Sequence, residues 1–306
     1  MGHAVLNAFK LKNRNDLQAV LIAGPTASGK TALAAEIAEK LGAAAINADS
    51  MQVYGDLPIL SAQPTAAETA RAPHMLFGHI DAESNYSVGR WLDDARAALA
   101  DCRARDLIPV FVGGTGMYFK ALLQGLSDIP AVPPEVRARV RAACDGVAPA
   151  ELHARLSKVD PETAARLRPT DPQRLIRALE IFEAFQAPLA RFQGARQPPL
   201  LKAERCQCLF LAPERPVLNA RIDARFDRMM DAGALDEVVR LRARGLDRAL
   251  PALRAVGAPG LLDHLDGACS LEEAVARGKR DSRHYAKRQF TFARTQLPEF
   301  QWIAAA

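Results

Sequence analysis

The chain has 306 residues, 49% of them apolar and 25% charged, which is ordinary for a soluble globular protein and long enough for two folding units. A net charge of +5 permits an anionic partner without demanding one. Five cysteines without a C-x-x-C pair argue against a disulfide framework or a zinc site, and no apolar run reaches the roughly 20 residues that span a bilayer. A cytoplasmic protein with reduced thiols and no membrane association is expected.

Residues 1–18 are expected to form a flexible N-terminal tail. Their opening, "MGHAVLNAFKLKNRND", lacks the long apolar centre of a signal peptide, and Leu6 stands where a myristoylation signal needs Ser or Thr. "AVLIA" (19–23) then reads as a short buried strand. Ser28 to Leu41 reads as a helix, with Ala32, Leu33, Ile37 and Leu41 at helical spacing. "AAAIN" (43–47) is a second strand, Val88 to Arg105 a helix with Trp91, Ala95, Ala98 and Cys102 on one face, and "LIPVFV" (107–112) a third strand. This last strand ends in "GGTG" before the helical "MYFKALLQGL". Strands alternating with helices predict an α/β fold with a P-loop-type parallel sheet, whose ligands sit at the carboxyl ends of the strands.

From about Leu123 the pattern changes to Pro- and Arg-rich helical segments without a strand, and a strand returns at "CQCLFLA" (206–212). The expected organisation is a catalytic core formed by 19–122 and 206–306, interrupted by a mainly helical insertion at 123–205.

"GPTASGKT", Gly24 to Thr31, is the Walker A pattern between a strand and a helix. Gly24 and Gly29 permit backbone conformations that turn the N–H groups of Pro25's successors, Thr26, Ala27 and Ser28, towards phosphate oxygens. The helix dipole and Lys30 add positive charge, and the Thr31 hydroxyl can ligate Mg²⁺. This loop binds a pyrophosphate-like group. A P-loop NTPase also needs an acid at the end of a core strand, and "LIPVFV" has none. Asp49 follows the second strand directly, as either a metal ligand or a group acting on a second substrate.

Four segments taken together, Gly24 to Thr31, Asp49-Ser50-Met51-Gln52-Val53-Tyr54, Gly113-Gly114-Thr115-Gly116-Met117-Tyr118 and "AKRQFTFAR" (286–294), resemble the tRNA dimethylallyltransferase (tRNA isopentenyltransferase) family in kind and order. The resemblance spans nearly the whole chain. It implies transfer of a dimethylallyl group from dimethylallyl diphosphate to N6 of adenosine 37 of tRNA, with the loop holding a diphosphate leaving group and no ATP hydrolysed. It implies Thr26 near the reacting carbon and Asp49 as the base facing N6. A carboxylate that takes the amine proton as the C–N bond forms suits a delocalised, weakly nucleophilic amine. The plainer reading of Asp49-Ser50 is an Asx turn. Ser50, Met51 and Gln52, on an extended segment, are expected at the adenine, which a Gln can read bidentately. Thr115 is expected against the RNA.

In "NARIDARFDRMM", Arg221, Arg225 and Arg228 form a basic stripe beside Ile222, Phe226 and Met229. The resemblance implies that one of these arginines, Arg225 or Arg221, holds the diphosphate. Between Arg277 and Arg294 lie seven Lys or Arg against one acid, Asp281. That density suits an RNA phosphate backbone. The resemblance carries tRNA contact onto Lys287, Arg288, Gln289, Thr291 and Arg294, and, in the insertion, onto Gln173, Arg174 and Arg177. The partners expected are therefore the tRNA anticodon stem-loop and dimethylallyl diphosphate, with Mg²⁺ as cofactor and no obligate protein partner, the chain acting as a monomer.

Gly55, Leu60 to Gln63 and Ala258-Pro259 depart from the family pattern, which has an Arg after the Tyr, Gly-Thr-Ala-Lys-Pro, and Gly-Tyr-Lys or Gly-Tyr-Arg at these places. Phe292 replaces its usual Trp. The rival readings are an adenylate dimethylallyltransferase using free AMP, ADP or ATP, a nucleotide or small-molecule kinase binding ATP at the same loop, and an RNA-binding module with a vestigial nucleotide site.

Overall fold

A computed structural model describes residues 11–192, 194 and 196–304. The expected tail lies outside the described residues up to position 10. From Lys12 onwards the expectation of a loose tail is corrected. Lys12 Nζ donates to the carbonyls of Glu204 and Cys206, Arg14 donates to Leu41 O, and Leu17 is buried in the core. Leu17 is apolar and adjoins the first strand, so packing it excludes water from that strand's start.

Among the described residues six strands, β1 (Ala19–Ala23), β2 (Ala43–Asn47), β3 (His74–Met75), β4 (Ile108–Gly113), β5 (Cys206–Leu211) and β6 (Gln301–Ile303), form one sheet in the order β3-β2-β4-β1-β5-β6. Every neighbouring pair is parallel. β1, β2, β4 and β5 are buried at every residue, which is why they read as mainly apolar runs, with Asn47 and Gln207 as the buried polar exceptions. β3 and β6, with two and three residues, close the edges.

Helix α1 (Lys30–Leu41) buries Leu33, Ala34, Ile37 and Ala38 against the sheet. It starts at Lys30, two residues later than its periodicity predicts, because Gly29 has a left-handed φ of 91°. A single turn, α2 (Ala66–Thr69), carries a capping box from Thr65 and Glu68. Helix α3 (Val88–Ala104) is capped by Ser87 and buries the face expected of it, Trp91, Ala95, Ala98 and Cys102. Trp91 donates its indole N–H to Asn47 O and stacks at 4.0 Å on Tyr118 of α4 (Gly116–Gln124). The end of β2 is thereby fastened to the turn after β4.

The chain divides into two compact units. One runs to Leu123 and resumes at Pro199, and the other is Gln124–Pro198. The second unit holds α5 (Pro134–Cys144), α6 (Pro149–Val159), α7 (Pro161–Arg166) and α8 (Pro172–Phe185). Each opens on a proline, where the missing N–H costs nothing, so the Pro-rich composition marks helix starts. Leu152, Leu156, Leu175, Ala178 and Ile181 form its core. Two buried carboxylates fix it. Asp160 accepts from Thr163 N and Leu189 N, and Glu180 pairs with Arg141 and Arg177.

After β5 the first unit continues with α9 (Arg215–Asp231), α10 (Ala234–Ala243), α11 (Ala258–Leu265) and the long α12 (Leu271–Gln296). α12 begins with the expected capping box of Ser270 and Glu273. Leu218 and Ile222 of α9 pack on Ala286 of α12. The two helices approach closely at Gly278, where a Cβ would lie 2.2 Å from the Phe226 ring. Gly278→Val is expected to lower stability by about 1–3 kcal/mol, the cost of overpacking a filled contact. Urea unfolding would show a lower midpoint at unchanged slope, and an unchanged midpoint would mean that the helices separate freely.

Candidate active site

The phosphate loop joins β1 to α1 at the carboxyl end of the sheet. Gly24 is required by space, since a Cβ there would meet Leu211 O at 2.9 Å. Ala27 is held at a φ of 61°, a conformation that costs a non-glycine residue energy and recurs where a site needs a set backbone. Ser28 Oγ is buried without a hydrogen-bond partner. Lys30 Nζ donates to Pro25 O at 2.6 Å across the loop. Burial drives the Lys30 pKa down to about 7; Asp49 opposes the shift and Arg225 adds to it.

Asp49 follows β2 in a tight turn. Asn47 Oδ1 accepts the Asp49 N–H at 2.7 Å, and Asp49 Oδ1 accepts the Met51 N–H at 3.0 Å. The Asx turn is thus real, and it holds the carboxylate in place. Ser50 is tied to Thr115, whose Oγ1 accepts the Ser50 N–H at 2.9 Å and donates to Ser50 Oγ at 3.2 Å. Burial, first, and the negative charge of Asp49 push the Tyr118 and Tyr285 hydroxyls up, so both stay protonated.

The segment after Asp49 is a series of turns, which corrects the expected extended conformation. Gln52 Nε2 donates to the carbonyls of Ser61 and Ala62 at 3.0 and 2.7 Å. Its amide therefore shapes the 57–63 loop, with buried Glu237 accepting the N–H groups of Ile59 and Leu60. Gly113 and Gly114 are required by close approach as well as by the turn. A Cβ on Gly113 would lie 2.1 Å from Ala48 O, and one on Gly114 would lie 2.1 Å from Gln289 Nε2 and 3.1 Å from Asp49 Oδ2.

Two cavities open around these residues. The first, about 370 Å³, is lined by Lys30, Thr31 and Arg228 among others. The second, about 220 Å³, is lined by Ser50, Met51, Phe226, Tyr285 and Arg288. Thr26, Asp49, Ser61, Arg225 and Met229 line both. Arg225 therefore faces the site, and burial is the main influence lowering its pKa, with Asp49 opposing. Arg221 lines neither cavity. Arg228 and Tyr285, which the sequence reading left out of the site, are added by the structure. Arg228 was signalled by its place three residues beyond Arg225 in the basic stripe.

Lys287, Arg288, Thr291 and Arg294 are exposed on α12, the last over the Trp302 ring at 5.5 Å. Gln289 is the exception and is corrected. It is 8% exposed and bonded inward, because the helix turn brings it under Gly114. In the second unit, Gln173 and Arg174 are exposed on the first turn of α8, whereas Arg177 is held by buried Glu180 at 3.2 Å. Of the departures, Gly55 lies where a Cβ would meet Gly78 O at 2.9 Å, and Ala258-Pro259 form the first turn of α11.

The sequence pattern that defines the IPP transferase family matches residues 52–296, and that of isopentenyl transferases matches 17–76. A protein of Methylocella silvestris named tRNA dimethylallyltransferase is 61% identical over 93% of this chain and 94% of its own. The chain belongs to the tRNA dimethylallyltransferase family. Solved structures of the family share the fold. The full-length tRNA isopentenylpyrophosphate transferase of Bacillus halodurans superposes with a TM-score of 0.66 at 36% identity, over 94% of this chain and 89% of that one. A eukaryotic dimethylallyltransferase described as acting on tRNA superposes with a TM-score of 0.78 at 27% identity, over 94% and 74%. Of the sequence segments that carry the resemblance, Thr26 and Asp49 line both cavities, Lys30, Thr31, Gln52 and Gly113 the first, and Ser50, Met51 and Arg288 the second.

Proposed function

We propose that the chain transfers a dimethylallyl group from dimethylallyl diphosphate to N6 of adenosine 37 of tRNA and releases diphosphate. The observation that supports this most is the wall shared by the two cavities. Thr26, Asp49 and Arg225 face a phosphate-loop cavity on one side and a cavity walled by Ser50, Met51 and Tyr285 on the other. The diphosphate lies against Lys30, Arg225 and the phosphate loop, whose Thr26 and Ser28 N–H groups are bonded to Gln289 and Pro25 rather than turned to phosphate as expected. The flipped adenine enters from the second cavity, since a stacked base cannot otherwise reach the donor.

As N6 bonds to the allylic carbon, the carbon–oxygen bond to diphosphate breaks and the N6 proton passes to the Asp49 carboxylate. Lys30 and Arg225 stabilise the charge gathering on the leaving diphosphate. The Thr31 hydroxyl, on the phosphate-loop cavity, suits Mg²⁺, and no group of three or more His, Cys, Asp or Glu among the described residues could hold a metal. That donor set fits an ion bound through one hydroxyl and the substrate's own phosphate oxygens. When bound, it supplies further charge neutralisation at the diphosphate.

Among the described residues no helix is long and apolar enough to cross a membrane, and all five cysteines are free. Unpaired thiols suit the reducing cytoplasm we assign. The exposed face of α12, Lys287, Arg288, Thr291 and Arg294, tracks the RNA backbone, with Gln173 and Arg174 as further contacts. Lys287→Ala is expected to raise the KM for tRNA and to flatten its log-log salt dependence by about one counterion. A salt slope equal to that of the unsubstituted protein would place Lys287 away from the RNA.

The deciding experiment is an acceptor competition. Protein, Mg²⁺ and dimethylallyl diphosphate are offered tRNA with A37, the same tRNA with A37 replaced, and free AMP or ATP, and mass spectrometry locates the transferred group. Transfer to A37 alone is the expected result. Transfer to free nucleotide would move the chain to adenylate chemistry, and ATP turnover without transfer would make it a kinase.

A further inference from the structure

Helix α12 has two working faces. Lys287, Thr291 and Arg294 point outward, whereas Ser282, Tyr285 and Arg288 line the second cavity and Gln289 is buried. Gln289 stands between two exposed or half-exposed neighbours, Arg288 and Phe290, yet its amide is committed to two backbone groups distant in sequence. Its Oε1 accepts the Thr26 N–H at 3.2 Å and its Nε2 donates to Gly114 O at 2.8 Å. Those partners fix the amide orientation, because an N–H can only donate and a carbonyl can only accept.

The two partners belong to opposite sides of the site. Thr26 is in the phosphate loop, and its N–H is directed to Gln289 while its residue faces both cavities. Gly114 lies between Gln289 and Asp49: a Cβ there would be 2.1 Å from Gln289 Nε2 and 3.1 Å from Asp49 Oδ2. The same turn is bound to the Asp49 loop through Thr115, which bonds Ser50 and donates its N–H to Ala48 O.

We propose that Gln289 is a positioning residue, a clamp that fixes Thr26 of the phosphate loop against the turn carrying Gly114 and, through it, against Asp49. The proposal rests on the transfer reaction given above. The clamp sets the separation between the donor carbon and the proton acceptor, and it does so from the helix whose other face meets the RNA. Loss of the clamp leaves both ligands bound but lets the two loops settle independently. The reacting atoms are then misaligned, and misplacement on the scale of 1 Å can cost about a hundredfold in rate.

The test compares Gln289→Leu, which fills the space without hydrogen bonds, with Gln289→Glu, which keeps an acceptor for Thr26 but turns an oxygen towards the Gly114 carbonyl. In steady-state assays with tRNA and dimethylallyl diphosphate, both variants are expected to lose about tenfold to a hundredfold in kcat. Both KM values are expected to stay within about threefold, and the salt slope for tRNA to stay unchanged. Residue-resolved hydrogen exchange, which needs no turnover, is expected to speed up at the Thr26 amide in the Leu variant. An unchanged kcat, an unchanged Thr26 exchange rate, or a raised tRNA KM with a flatter salt slope would overturn the clamp. Should the Leu variant not fold, the Glu variant's kcat decides. Failure of the unsubstituted protein to modify tRNA would instead overturn the reaction itself, leaving the Thr26 exchange comparison to judge the clamp.

Discussion

Asp49→Ala lowers the rate of transfer to tRNA by about 10²–10⁴, the range expected when a general base is lost, while diphosphate still binds. The geometry supports so large an effect. Asp49 lies on both cavities and its carboxylate is preset by the Met51 N–H. The substitution also removes the charge that holds the Lys30 pKa up against burial. Diphosphate affinity should therefore be compared over a pH series, so that the lower Lys30 pKa of the variant is separated from the loss of the base. Stopped-flow or quenched single-turnover transfer, with calorimetry of diphosphate binding, checks both halves. Equal losses of binding and rate would deny Asp49 a role in proton transfer.

Lys30→Met slows transfer by about 10²–10³, as removal of one preorganised donor to a developing anion does. Its effect carries a pH signature in the unsubstituted protein. With a pKa near 7, Lys30 is protonated below that pH and neutral above it. Diphosphate prefers the charged form, so binding above pH 7 takes up a proton and affinity falls by up to tenfold per pH unit. Calorimetry at pH 8 in two buffers of different ionisation enthalpy measures that uptake, and a value of zero would put the titration elsewhere. The same shift acts on stability with a definite sign. The unfolded chain keeps the Lys30 proton up to about 10.5, its ordinary value, while the folded chain loses it near 7. Between those limits the unfolded state binds more protons, so this group's contribution makes the free protein more stable as pH rises.

The four interior strands were legible because burial on both faces leaves mainly apolar runs, and the phosphate loop because its glycines sit between such a strand and a helix. β3 and β6 were not, since two or three residues carry no period. The residue types of the site were legible, but their orientations were not. The choice of Arg225 over Arg221 depends on the rotation of α9 against the cleft, which a stripe at helical spacing leaves open. The resemblance places Gln289 with its basic companions Lys287 and Arg288 as an RNA contact. Its burial depends on Gly114, distant in the chain, having no side chain. The amide partners of Gln52 are carbonyls of a loop nine and ten residues on, which its sequence neighbours do not reveal, while its side chain also lines the first cavity.

The position of β1 bears on how the protein is made. It lies between β4 and β5, and residues 114–205 separate those two neighbours in the chain. On a ribosome, β1 meets β4 early and then waits, one edge open, while the whole second unit is synthesised. At about 5–20 residues per second that delay is roughly 5–20 s. During it the most buried strand of the finished enzyme offers a row of unpaired N–H and C=O groups, the template on which nascent chains aggregate. The helical unit has its own core of Leu152, Leu156, Leu175 and Ile181 and is complete at Pro198, just before β5 begins at Cys206.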